Sequence, residues 1–220
     1  MNLARLAIAF GGALWLAACG GGNGGGTAPP SPPTKLVKTG GDGQSWYFNN
    51  PLPTLLSVTA LDANNRGVPG VVVNWGVALG GGGISPAQST TDATGVASAA
   101  DSVGSQSLQS ITATPSIMTL QTVTFNAGAS APPTSAAVDL INTSFSPKSV
   151  VVKTGGTVTW TWKDSPTAHN VTFVSGPALR PPDSATQATG TQNFTFTTVG
   201  TYNYVCTVHG AMTGTITVVR

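Results

Sequence analysis

Charge is scarce in this chain. Of its 220 residues only 7% are Asp, Glu, Lys or Arg, against about a quarter in ordinary globular proteins. Nine basic and seven acidic residues leave a formal net charge of +2, and Lys and Arg form no run anywhere. A nucleic-acid partner, which needs a basic footprint, is thereby excluded. Long helical periodicity is absent as well. What fills the sequence instead is β-branched runs broken by Gly, Pro and Asn, with 28 Gly and 16 Pro in all. This is the pattern of short strands joined by turns, so the fold class expected is all-β. Catalytic signatures are missing too. There is no Gly-x-Ser-x-Gly elbow, and the glycines Gly80 to Gly83 are not followed by the Gly-Lys-Ser/Thr of a phosphate cradle. His and Cys number two each. Ser/His/acid catalysis would have to draw on a His already committed to the cluster described below, so the chain is read as no enzyme.

The two Cys have separate uses. Arg5 gives a short basic start, and Leu6 to Leu16 is an apolar stretch of signal-peptide length, too short to span a membrane as a helix. Leu16-Ala17-Ala18-Cys19 closes it and resembles the bacterial lipobox. The resemblance implies removal of residues 1–18 and lipid attachment at Cys19, which makes the membrane a partner. Residues 19–34 are mostly Gly, Pro, Ser, Thr and Ala. They cannot bury apolar surface and read as a disordered tether. Gly20 lacks the Asp that the lipoprotein pattern associates with inner-membrane retention. The expected location is the bacterial cell envelope, at the outer membrane if the source is Gram-negative.

The remaining Cys lies in Cys206-Thr207-Val208-His209-Gly210-Ala211-Met212, a C-x2-H-x2-M spacing. The other His, His169, stands upstream in Thr167-Ala168-His169-Asn170-Val171. Thr201 to Cys206 and Gly214 to Val219 read as strands, so Cys206, His209 and Met212 occupy the tight connection between them. His169 is expected at the start of a strand-like run from His169 to Val174. Two imidazoles, one thiolate and a weak thioether are the donor set of a type 1 mononuclear copper site that cycles between Cu(I) and Cu(II). The thioether argues against structural zinc, which takes its donors from Cys, His and carboxylate. The reading is Cys206 as the main ligand, His169 and His209 as equatorial ligands, and Met212 as a weak axial ligand. His209, flanked by Gly210 and Ala211 with no charge from Thr207 to Val219, is expected to offer an apolar edge where a redox protein partner docks.

Ala136 to Arg220 resembles the cupredoxins, in particular the plastocyanin and amicyanin group. The likeness rests on Phe145-Ser146-Pro147, the Gly155-Gly156 turn, His169-Asn170-Val171 and Gly200-Thr201-Tyr202-Asn203-Tyr204-Val205-Cys206. The short gap from His209 to Met212 is similar to the ligand loop of amicyanins. Val205 departs from plastocyanins, which commonly carry an aromatic before the Cys. The resemblance implies a Greek-key β-sandwich and a one-electron carrier. It also implies that Asn170 positions the site through its backbone.

Residues 35–128 form a second β-rich region, with strands at Leu55 to Leu61, Val71 to Trp75, Ser110 to Thr114 and Thr122 to Ala127. A turn and strand lie at Thr91 to Ala97, and Gly80 to Gly83 reads as a loop. Val68-Pro69-Gly70-Val71, Asn74-Trp75, Thr90-Thr91-Asp92-Ala93-Thr94-Gly95 and Ile111-Thr112-Ala113-Thr114 resemble the bacterial Ig-like domains of the invasin and intimin type. The region is read as an Ig-like β-sandwich serving as a spacer, with Trp75 in its core. Residues 129–135 are read as a linker to the 136–220 cupredoxin domain. Copper binding or delivery, and surface adhesion through the Ig-like part, stand as alternatives to electron transfer.

Overall fold

The computed structural model describes residues 31–117 and 119–220. The expected signal segment, the expected lipidation site Cys19 and most of the expected tether lie outside the described residues. The rest is all-β, and its apolar residues separate into two cores.

The first core lies between two sheets. Its strands are β1 (Lys35–Gly40), β2 (Gln44–Tyr47), β3 (Leu56–Leu61), β4 (Val72–Leu79), β5 (Gly82–Ser85), β6 (Gln88–Thr90), β7 (Val96–Val103), β8 (Leu108–Pro115) and β9 (Val123–Ser130). One sheet has the order β1-β3-β7-β5 and the other β2-β9-β8-β4-β6. Alternation of buried and accessible residues along β8 shows one face turned inward. Trp75 is in the core as expected, with its ring centroid 6.0 Å from that of Phe125 and its Nε1 donating to Ser89 Oγ at 2.8 Å. The glycine run differs from expectation: Gly82 and Gly83 belong to β5 and pair with Val103 and Ser102. Gly82 has φ +90 and approaches the Ser102 carbonyl so closely that a Cβ would lie 2.0 Å from it. Glycine here serves a close strand contact rather than a free loop.

The second core is built by β10 (Ser135–Ile141), β11 (Ser144–Ser146), β12 (Ser149–Lys153), β13 (Gly156–Trp162), β14 (Thr172–Ser175), β15 (Gly190–Phe196), β16 (Gly200–Val205) and β17 (Thr213–Val219). The sheets run β11-β10-β13-β15 and β12-β17-β16-β14, with β10–β13 and β12–β17 parallel. Along β13 the pattern is strict: Val158, Trp160 and Trp162 point inward and Thr157, Thr159 and Thr161 outward. Trp160 is fully buried and meets Phe194 and Tyr204 edge-on, each at 5.6 Å. Such edge-to-face pairs add to the area that aromatic rings bury. Gly214 permits this packing. A Cβ at Gly214 would lie 2.3 Å from Tyr204 Cζ, so only glycine lets β17 pass under that ring.

Residues 131–134 are all that separate β9 from β10. The ends of β13 and β16 and the start of β17 meet at one edge of the second sandwich, where Trp162, Val205 and Thr213 lie. That edge carries the candidate site.

Candidate metal centre

Cys206 follows β16 directly, and Met212 precedes β17. The connection closes on itself. Cys206 N–H donates to Met212 O at 3.0 Å, His209 N–H to Cys206 O at 3.3 Å, and Met212 N–H to His209 O at 2.9 Å. These bonds turn a seven-residue stretch into a compact loop, as its spacing predicts. His169 arrives from the other part of the domain. Its main chain is held by Trp162 Nε1, which donates to His169 O at 2.7 Å.

The structure brings three of the sequence-predicted residues together. One donor atom from each of His169, Cys206 and His209 lies within 4.8 Å of the others. Cys206 Sγ is 3.9 Å from His169 Nδ1 and 3.7 Å from His209 Nδ1. A thiolate and an imidazole sharing an ion, at about 2.3 and 2.0 Å from it, stand about 3.5–3.8 Å apart at tetrahedral to trigonal angles. The spacing therefore fits an ion held between Sγ and both Nδ1 atoms. Met212 is 1% exposed in the same loop. Cys206 is a free, buried thiol.

The two imidazoles differ in access. His169 is fully buried, whereas His209 is partly exposed beside exposed Val208, Gly210 and Ala211. The second nitrogen of His169 is also occupied: Nε2 lies 2.9 Å from Asp164 Oδ2. A carboxylate there draws the ring proton to Nε2 and leaves the Nδ1 lone pair facing Cys206. Asp164 itself is anchored by Thr143 N–H at 3.0 Å. That bond, followed by the one from His169, holds its carboxyl below the usual carboxylate range.

Asn170 ties the two ligand-bearing segments together. Its Oδ1 accepts Thr207 N–H at 2.8 Å, and its Nδ2 donates to Thr207 Oγ1 at 2.7 Å and Thr186 Oγ1 at 3.2 Å. The family resemblance implies a backbone role for this residue, but here the side chain supplies these links.

The expected strand from His169 to Val174 is shorter and begins later, at Thr172. His169 pairs instead with Gln187 through bonds of 2.9 and 3.0 Å, and Val171 pairs with Ser184. Phe173 N–H donates to Asp183 Oδ1 at 2.9 Å. Residues 183–187 thus form a strap along the His169 segment. Neither the strap nor Asp164 stands out in sequence. The one local sign is an acidic residue five positions before the His.

Residues 134–219 match the family described as copper binding proteins, plastocyanin/azurin family. Amicyanin-alpha of Methylorubrum extorquens is 34% identical over 90 residues, covering 40% of this chain and 75% of that protein. The chain belongs to the plastocyanin/azurin family. Amicyanin of Paracoccus denitrificans is 36% identical over 85 residues, which are 37% of this chain and 63% of that relative. A solved purple cupredoxin from Nitrosopumilus maritimus is 27% identical, covering 38% of this chain and 99% of its own, at a TM-score of 0.34. The family match covers the second sandwich, and the His169, Cys206 and His209 cluster falls within it.

Proposed function

We propose that this chain is a lipid-anchored type 1 copper protein that carries single electrons in the bacterial cell envelope. The observation that carries the reading is the cluster in which the Nδ1 atoms of buried His169 and partly exposed His209 both face buried Cys206 Sγ, at 3.9 and 3.7 Å. Thiolate and thioether favour Cu(I), and imidazole suits both states, so the mixed set holds either one. When bound, copper supplies a one-electron couple, and the protein supplies a site that changes little as the electron moves. Cys206, His169 and His209 would hold the copper strongly, and Met212 would supply a weak thioether donor. Asp164 keeps His169 oriented, and Asn170 and the 183–187 strap fix the spacing between its segment and the Cys206 loop. The amicyanin relatives are electron carriers and not enzymes, in keeping with a chain that is no enzyme.

The remaining parts of the reading rest on sequence. Cys19 carries lipid after removal of residues 1–18, residues 19–34 are a tether, and the chain sits at the outer membrane if the source is Gram-negative. Residues 35–128 are an Ig-like spacer, 129–135 the linker and 136–220 the cupredoxin domain. The partly exposed His209 is where the redox partner docks, because its surround is small, apolar and uncharged.

Copper reconstitution of the full chain tests the central claim. An intense visible charge-transfer band, a type 1 EPR signal and reversible reduction without loss of metal are expected. Metal release on each reduction would favour a delivery protein instead, and absence of the band would remove the type 1 assignment. Mass measurement of membrane-extracted protein tests the anchor, with a lipid modification at Cys19 expected and an unmodified chain counting against it.

A further inference from the structure

Asn50 is only 3% exposed, and its side chain reaches beyond its own sandwich. Its Oδ1 accepts Arg220 N–H at 2.9 Å, while its Nδ2 donates to Arg220 O at 3.2 Å and to Phe48 O at 2.7 Å. A single amide thus pairs in both directions with the backbone of a residue 170 positions away.

Both sides of this contact are fastened. The turn that carries Asn50 is tied to the first sandwich, with Phe48 N–H on Ser130 O at 2.9 Å and Asn49 N–H on Val103 O at 3.0 Å. Beside Arg220, Val219 O accepts the Thr154 N–H at 2.7 Å and the Thr154 hydroxyl at 2.9 Å. The connection between the sandwiches is also bonded, with Lys153 N–H on Pro133 O at 2.7 Å and Thr157 N–H on Thr134 O at 3.0 Å. A short connection with two prolines holds the partners at high effective concentration, so two modest hydrogen bonds are enough to keep them together.

Strand registers show which ends meet. In the first sandwich Lys35 faces Leu61, and Ser31 N–H donates to Asp62 Oδ2 at 3.1 Å, so the chain enters at that end. Tyr47 faces Ser130 at the opposite end, beside Asn50. In the second sandwich Ser135 faces Thr157 and Gly200 faces Val218 at the end near Arg220. Trp162, Val205 and Thr213 mark the other end, next to Cys206.

We propose that the Asn50–Arg220 clamp joins the two sandwiches end to end as one body and holds the His169/Cys206/His209 group at the end farthest from Ser31. With strands of about eight and seven residues in line, rising ~3.3 Å per residue, the separation is on the order of 50 Å. A redox partner then meets the group at a set reach and orientation from the entering chain, rather than across the sweep of a hinged pair. The clamp does not depend on metal or lipid, so failure of either assignment leaves its test intact.

The test is 15N relaxation and amide exchange on the full chain, with and without N50A. In the unsubstituted protein the two sandwiches share one rotational correlation time, and the Arg220 amide is protected by at least about tenfold, as a mostly closed local bond requires. N50A removes that protection and separates the two correlation times, while amide shifts around Cys206 stay in place. Independent tumbling in the unsubstituted protein overturns the proposal. So does N50A that leaves Arg220 protection and joint tumbling unchanged. If N50A does not fold, the unsubstituted protein's tumbling and Arg220 protection decide, supplemented by N50D, which keeps the acceptor for Arg220 N–H and loses the donor.

Discussion

Asp164 Oδ2 and His169 Nε2 lie 2.9 Å apart, and the same carboxylate oxygen accepts Thr143 N–H at 3.0 Å. A fully buried imidazole is thus oriented by a carboxylate five residues earlier in the same β13–β14 connection, itself pinned by Thr143 from the β10–β11 turn. The carboxylate sets the ring tautomer and leaves Nδ1 free for an ion. Asp164→Ala is expected to weaken copper binding by roughly 10–100-fold, the usual cost of removing such a partner. Competition titration with a copper chelator measures it, and Asp164→Asn, which keeps an acceptor oxygen, should fall between the two. An unchanged affinity in the Ala variant would mean that packing alone orients His169.

The proposed ligands separate by role. Met212→Leu should keep copper and colour and raise the reduction potential, since losing a weak axial donor disfavours Cu(II) most. Cys206→Ser should abolish the visible band, because a hydroxyl is a poor substitute for the thiolate. Voltammetry and absorption spectra check both. Loss of copper in Met212→Leu would show that the thioether holds the ion as well as tuning it.

Ala211 is exposed beside the partly exposed His209. Ala211→Glu should slow electron exchange with the physiological partner and leave the visible spectrum nearly unchanged. The new carboxylate must be desolvated on docking but touches no ligand. The unsubstituted protein, with an uncharged loop, should show only mild salt dependence of the association rate. Stopped flow across a salt series reads both effects, and equal rates for the two proteins would move the docking face away from His209.

Asp101 is 2% exposed, and among the described residues neither of its carboxylate oxygens has a hydrogen-bond partner. Burial pushes its pKa up from 3.8 to about 6. A folded pKa above the unfolded one means that the folded state binds the proton more tightly. The penalty on folding is therefore full above pH 6 and fades as pH falls from 6 towards 3.8. Stability of the first sandwich should rise by roughly 2 kcal/mol across that window, from the size of the shift. Asp101→Asn should flatten this dependence. Denaturant titrations at pH 4.5 and pH 8 compare the two proteins, and an equal slope in both would show that another group governs it.

The features legible in the sequence were the local ones. Cys206, His209 and Met212 lie within one short connection, so spacing alone places their chain segments together. β-branched runs broken by Gly, Pro and Asn made the all-β class readable, because short strands joined by turns leave that pattern in any sequence. The two His, both in the same candidate set, narrowed the chemistry before any geometry was known. The tertiary structure decided what depends on distant or irregular backbone. Asp164 reaches His169 across a turn with no periodic pattern, and the 183–187 strap pairs with the His169 segment where a strand was expected. The side chain of Asn50 meets the backbone of Arg220, a contact to which the identity of the second residue contributes nothing. Such bonds join main-chain atoms that every residue carries, so no residue type announces them. Only the folded path of the chain brings them within reach.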